Sequence, residues 1–229
     1  MKPLDFKAFI FDFDGTLYDN SGIAKALILG NPFRFFFMKA ERNARRIFKG
    51  RDFETPENFK REYYQRAAKD AFTSPATFAH WYEDRYIKRM ERALKQKEFH
   101  AHPKVDEVFE FLSKAGKKIA LYSDYNSIQE RALACGIKQE SLNLCKGFYS
   151  SESFGCLKPA PRAFLQIAAY METRPKDCLV VGDRDDTDGF GARMSGMSFV
   201  QIKTKRPREI LDDNHPVMSW EEFAAGILG

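Results

Sequence analysis

No apolar run in the 229 residues approaches the roughly 20 that a membrane-spanning helix needs. The hydrophobic patch near the N-terminus is broken by Asp5, Lys7, Asp12 and Asp14, so neither an export signal nor an anchor is read there. Cysteine is scarce: Cys135, Cys145, Cys156 and Cys178 form no C-x-x-C pair and have no histidine at zinc-ligand spacing. That speaks against a disulfide framework and against a structural zinc site, and it suits a reducing compartment. Internal repeats and low-complexity linkers are also missing, which excludes solenoids and fibrous arrays. The expectation is a soluble, cytoplasmic protein with no membrane partner.

What is present is a globular mixture, 44% hydrophobic and 30% charged, long enough to bury a core without covalent staples. The formal net charge of +5 is unevenly placed: Lys25 to Lys104 holds nineteen Lys+Arg against ten Asp+Glu, a net +9, and the remainder stands at −4. The basic segment carries three capping residues followed by proline, Asn31-Pro32, Thr55-Pro56 and Ser74-Pro75, each the signature of a helix start. After the first, Phe33, Phe36, Phe37, Ala40, Ala44, Ile47 and Phe48 recur at helical spacing until Gly50. After the third, Phe78, Trp81, Tyr82, Tyr86, Met90 and Leu94 form a similar stripe. Residues 18–101 therefore read as an inserted helical domain. The flanking parts, 1–17 and 102–229, read as one α/β domain.

Four short apolar runs mark that second domain: Ala8 to Phe11, Ile119 to Tyr122, Leu179 to Val181 and Phe199 to Ile202. They alternate with helix-like stretches over Pro103 to Ala115, Ser127 to Cys135, Pro161 to Met171 and Gly189 to Ser195. Nearly continuous apolar strands separated by helices predict a parallel sheet covered on both faces, a Rossmann-like three-layer α/β core. In such sheets ligands bind beyond the carboxyl ends of the strands. Those ends read Asp12-Phe13-Asp14-Gly15-Thr16, Ser123-Asp124 and Gly182-Asp183, with Lys158-Pro159 on a loop between the last two. Carboxylates, a hydroxyl and one lysine at a crevice suit a hard divalent cation, magnesium first, together with a phosphoryl group. Aspartates two apart split naturally into a metal-bound nucleophile and a proton carrier. Gly15 leaves backbone N–H groups open to phosphate oxygens.

The four motifs F-D-F-D-G-T-L-Y-D (Phe11 to Asp19), A-L-Y-S-D (Ala120 to Asp124), L-K-P-A-P-R-A-F (Leu157 to Phe164) and V-V-G-D-R-D-D-T-D (Val180 to Asp188) occur in order. In them the chain resembles the haloacid dehalogenase-like hydrolase superfamily, over residues 1–17 and about 102–215. The resemblance implies Asp12 as nucleophile and Asp14 as general acid/base, with Ser123 and Lys158 binding phosphate beside Gly15 and Asp124. It implies magnesium held by Asp12, Asp183 and the backbone carbonyl of Asp14, and Asp188 steadying Lys158 or a metal-bound water. The inserted helices would be the family's cap, which closes over the site and selects substrates. Members that cleave carbon–halogen bonds do not keep the second aspartate, so Asp14 favours a phosphatase acting on a small phosphorylated metabolite. A phosphomutase would use the same core.

Other features carry less. His100 and His102 are two apart without a third ligand nearby and receive no role. Asp185 and Asp186 either assist the metal or face solvent. Arg42, Arg45, Arg46, Arg51, Arg61 and Arg66 are either a lure for an anionic substrate or the wet face of their helices. A non-catalytic anion- or nucleic-acid-binding protein is the alternative from another class. No aromatic and basic interleaving of an RNA-binding type supports it, and nucleic acid is not an expected partner.

Overall fold

Among the described residues six strands make one all-parallel sheet: β1 (Ala8–Asp12), β2 (Lys118–Ser123), β3 (Gly147–Ser150), β4 (Cys178–Gly182), β5 (Ser198–Ile202) and β6 (Val217–Met218), in the order β3-β2-β1-β4-β5-β6. They belong to a computed structural model that describes residues 3–29, 34–205, 210–212 and 214–229. The helix start expected at Asn31-Pro32, and Phe33 with it, lie outside the described residues.

Side chains alternate across a strand, so every second residue of each apolar run joins the same face. Phe9, Phe11, Ile119, Leu121, Leu179, Val181, Val200 and Ile202 enter one apolar cluster. Helices Val105–Lys114, Ile128–Ala134 and Trp220–Leu228 complete that cluster. Ala8, Ile10, Ala120, Tyr122, Cys178, Val180 and Phe199 enter a second, covered chiefly by Pro161–Tyr170. The alternation is what makes the three layers. Both faces of each central strand are dry, and truncating a ring such as Phe11 would cost about 3–5 kcal/mol. Strands β3 and β6 lack an apolar signature because they lie at the sheet edges and are mostly half-buried. The final helix had a readable start, since Ser219 and Glu222 cap each other's backbone N–H groups in an S-x-x-E box.

Between β1 and β2 the chain forms α1 (Ile23–Leu29), α2 (Phe35–Ile47), α3 (Pro56–Asp70), α4 (Pro75–Trp81) and α5 (Ile87–Leu94). Thr55 and Ser74 cap α3 and α4 by accepting from Asn58 N–H and Thr77 N–H, each with proline in the first turn. A π-helical turn at Tyr82–Tyr86 joins α4 to α5 and keeps Tyr82 and Tyr86 inside with Phe78 and Trp81. These helices surround their own aromatic cluster, which Leu157 joins from the loop that carries Lys158. The two chain crossings run together: His102 N–H donates to Leu17 O at 2.8 Å, and Tyr18 bridges Ala101. Among the described residues no helix is long and apolar enough to cross a membrane.

The α2–α3 loop docks on the Gly155–Lys158 loop: Phe53 N–H donates to Gly155 O at 2.9 Å, Leu157 N–H to Arg51 O and Gly50 N–H to Lys158 O, both at 3.0 Å. Gly155 has φ +66°, and a Cβ there would lie 2.3 Å from the Thr55 carbonyl carbon and oxygen. We expect Gly155→Ala to cost about 1–3 kcal/mol in urea unfolding, from overpacking added to left-handed strain. Gly116→Ala, with φ +71° but nothing within 4 Å of its Cβ, measures the strain alone and should cost less.

Candidate active site

The strand order reverses between β1 and β4, which opens a crevice beyond their carboxyl ends. Asp12 closes β1 and Asp183 follows β4 into that crevice. Asp12 is almost fully buried. Its Oδ2 accepts from Thr16 Oγ1 at 2.9 Å and its Oδ1 from Lys158 Nζ at 2.7 Å. Lys158 Nζ also donates to Asp188 Oδ1 at 2.8 Å and to Tyr122 O at 3.1 Å, over the Tyr122 ring. Its three protons are thereby engaged, and it stands between two carboxylates rather than alone.

Oxygen atoms of Asp12, Asp183 and Asp188 lie within 4.8 Å of one another, all buried. Burial pushes the Asp12 carboxyl well above the usual carboxylate range; Lys158 opposes that, and Asp188, Asp183 and Asp14 add to it. An all-oxygen set of this size fits a hard divalent cation. The Asp14 side chain is not part of this set. Its backbone carbonyl, the expected ligand, accepts from Asn20 Nδ2 at 2.9 Å. Gly15, with φ +101°, brings the backbone against the cluster: a Cβ would meet Asn20 Nδ2 at 2.7 Å and Asp183 Oδ2 at 2.8 Å.

Asp14 sits in a different arrangement from the one expected of a proton donor. Its carboxylate accepts from Arg131 NH1 at 2.7 and 2.8 Å, Ser123 Oγ at 2.6 Å and Tyr18 OH at 2.7 Å. Burial alone would raise its pKa, but the Arg131 charge and these hydrogen bonds outweigh burial and hold it below the ordinary value. Ser123, expected to contact phosphate, donates to Asp14 and accepts from Arg131 NH2 at 2.8 Å and Tyr125 N–H at 3.1 Å. Arg131 has no exposed surface, and none of the four sequence motifs contains it. A signal was there: Ile128, Arg131, Ala132 and Cys135 are the buried i, i+3, i+4, i+7 stripe of one helix and its cap. An arginine at a core position of such a stripe requires a buried carboxylate.

The remaining acidic residues separate by partner. Asp124 Oδ1 accepts from Ser151 Oγ at 2.6 Å, and its backbone oxygen accepts from Arg45 NH1 at 2.9 Å. Asp185, fully buried, accepts from Arg193 NH1 at 2.6 Å and from the N–H groups of Leu211 and Asp212, so it neither reaches the cluster nor faces solvent. Asp186 pairs with Lys49 and, at 2.7 Å, with Arg184. His102 stacks on Trp220 with ring centroids 5.9 Å apart, a packing role. The site cavity, about 500 Å³, is lined from the helical segment by Asn20, Arg42, Arg45, Arg46 and Lys49. Arg51, Arg61 and Arg66 are not among its lining residues, and Arg51 and Arg66 pair with Glu62 and Asp70.

Comparison with known proteins places this geometry. The sequence profile of the haloacid dehalogenase-like hydrolases matches residues 6–196. A glyceraldehyde 3-phosphate phosphatase of Methanopyrus kandleri is 33% identical over 81 residues, 27% of this chain and 35% of that protein. The chain thus matches about a third of that relative's length. Among solved structures, a 2-haloacid dehalogenase of Pseudomonas syringae pv. Tomato DC3000 superposes with a TM-score of 0.63 at 16% identity, covering 98% of this chain and 100% of that one. A phosphatase of the same superfamily from Thermococcus onnurineus gives 0.63 at 20%, covering 98% and 99%. A predicted phosphoglycolate phosphatase of Haemophilus somnus 129pt gives 0.59 at 21%, covering 93% and 94%. At these identities the superpositions establish the fold.

Proposed function

Because the chain belongs to the haloacid dehalogenase-like hydrolases, we propose that it is a magnesium-dependent phosphatase that hydrolyses a small phosphate monoester through an aspartyl-phosphate at Asp12. One observation carries the reading: a buried aspartate ends β1 beside Lys158, in a three-carboxylate cluster, with a second aspartate kept two residues on. Asp12, Asp183 and Asp188 would hold the ion, which when bound supplies charge neutralisation for nucleophile and phosphoryl group together.

In this reading an Asp12 carboxylate oxygen attacks phosphorus, the phosphorus–oxygen bond of the ester breaks, and the leaving alkoxide takes a proton from Asp14. Water then attacks the aspartyl-phosphate, Asp14 recovers a proton from it, and phosphate leaves with Asp12 restored. Lys158 stays between Asp12 and Asp188 and keeps the nucleophile aimed and charged. To act as the acid, Asp14 must first part from Arg131, which holds it ionised, and take up a proton from solvent; Tyr18, Ser123 and Arg131 are the frame from which it moves. Residues 18–101 act as a cap over this crevice.

A panel of phosphorylated metabolites plus p-nitrophenyl phosphate tests the proposal. Phosphate release is expected with magnesium, to fall at least about a hundred-fold in excess EDTA, and to return when magnesium is restored. Full activity in EDTA contradicts the metal assignment. Halide release from a 2-haloacid at a rate rivalling phosphate release from every ester contradicts the reaction class, and isomerised sugar phosphate without free phosphate points to a mutase.

A further inference from the structure

The cations that line the site cavity divide into two groups. Lys158 is paired with Asp12 and Asp188. Arg45 is paired with Glu41 and Glu152 at 2.5 and 2.9 Å, donates to Tyr82 OH, and lies over the Tyr125 ring. Lys49 and Arg184 share Asp186. Arg42 and Arg46 remain. Both are exposed, and among the described residues neither has a carboxylate partner; Arg46 NH2 donates only to the neutral Asn43 Oδ1, at 2.8 Å. They are one turn apart on α2, hence on one face, where like charges repel unless an anion lies between them.

Their position gives that repulsion a use. Arg42 and Arg46 line the site cavity and also a second cavity of about 910 Å³, which Phe36, Lys39, Lys69 and Phe72 line as well. The two arginines thus stand where one space meets the other, beyond the carboxylate cluster and on the α2 face turned to the crevice. A phosphoryl group at Asp12 answers to the groups on the strand tips, which leaves this pair for a different part of the substrate. Guanidinium groups are suited to a second planar or tetrahedral oxyanion, through paired N–H donors.

We propose that the substrate carries a second anionic group, a carboxylate or another phosphate, which Arg42 and Arg46 hold while its phosphomonoester lies at Asp12. The proposal rests on the phosphatase reading for the end of the substrate that reacts, and names the class of molecule that reading leaves open. Substrates with a single anionic group would bind by that end only.

Equilibrium binding to the Asp12→Asn protein, with magnesium present, tests the proposal apart from turnover. The ligands come in two matched pairs: 3-phosphoglycerate with glyceraldehyde 3-phosphate, and fructose 1,6-bisphosphate with fructose 6-phosphate. In at least one pair the doubly anionic member should bind about ten-fold tighter or more. Adding Arg42→Gln and Arg46→Gln should reduce that preference to within about two-fold. Equal affinities within both pairs overturn the proposal. So does a preference that survives loss of both arginines. A wild-type enzyme that releases no phosphate from any ester defeats the phosphatase reading instead, and the binding comparison still decides whether the pair selects a second charge.

Discussion

Replacing Asp12 with asparagine is expected to lower kcat for every phosphate ester by more than about a thousand-fold, the largest effect of any single substitution in this chain. An amide oxygen cannot form and release an acyl phosphate as a carboxylate does, and no other side chain ends β1. The fold should survive, because asparagine keeps the shape and relieves repulsion among Asp12, Asp183 and Asp188. We expect an unfolding midpoint at or above that of the wild type, as is common when charge is removed from a strained site. Mass spectrometry of rapidly quenched wild-type enzyme should find one phosphoryl group on the peptide carrying Asp12, and none on the variant. Unimpaired hydrolysis by Asp12→Asn, with deamidation excluded by mass, removes Asp12 from the nucleophile's role.

The second large effect is on stability. Arg131→Met should cost about 3–5 kcal/mol, because it leaves the buried Asp14 carboxylate and the Ser123 hydroxyl without their guanidinium partner. Arg131 also donates to the Tyr125 and Asn126 carbonyls at 2.9 and 3.1 Å, so the β2 tip loosens as well. For a chain of 229 residues this is a fall in Tm of roughly 6–20 °C. The double variant Arg131→Met/Asp14→Asn should recover part of the loss, since the uncompensated charge is gone. Strictly additive losses would mean that the two residues do not act as a pair.

Several features are readable in the sequence, because they depend on neighbours in the chain. Thr55 and Ser74 each precede a proline and cap the helices they predict. The apolar runs at Ala8, Ile119, Leu179 and Phe199 became β1, β2, β4 and β5 within a residue or two at each end. Asp12, Ser123 and Asp183 were placed at strand tips by the same runs, and Lys158 by its loop. The sequence leaves Arg42, Arg45 and Arg46 open between a lure for an anionic substrate and a wet helix face, and all three line the cavity.

What sequence determined here is local: period-two and helical hydrophobic spacing, caps, and carboxylates punctuating the ends of apolar runs. Such signals act over a few residues and need no knowledge of what lies opposite. The partner of each charge is another matter, since Arg131 and Asp14 are 117 positions apart, Lys158 and Asp12 146, and Lys49 and Asp186 137. Folding chose among many carboxylates and cations of equal local merit, by burial and by distances that only the packed sheet defines. Asp185 became a clamp on the backbone at Leu211 and Asp212. Asp186 became a bridge to the helical segment. Asp188, kept apart from the expected ligands, joined Asp12 and Asp183. Three aspartates within four positions acquired three different partners because the π-helical turn Asp185–Gly189 points successive side chains in different directions around its axis.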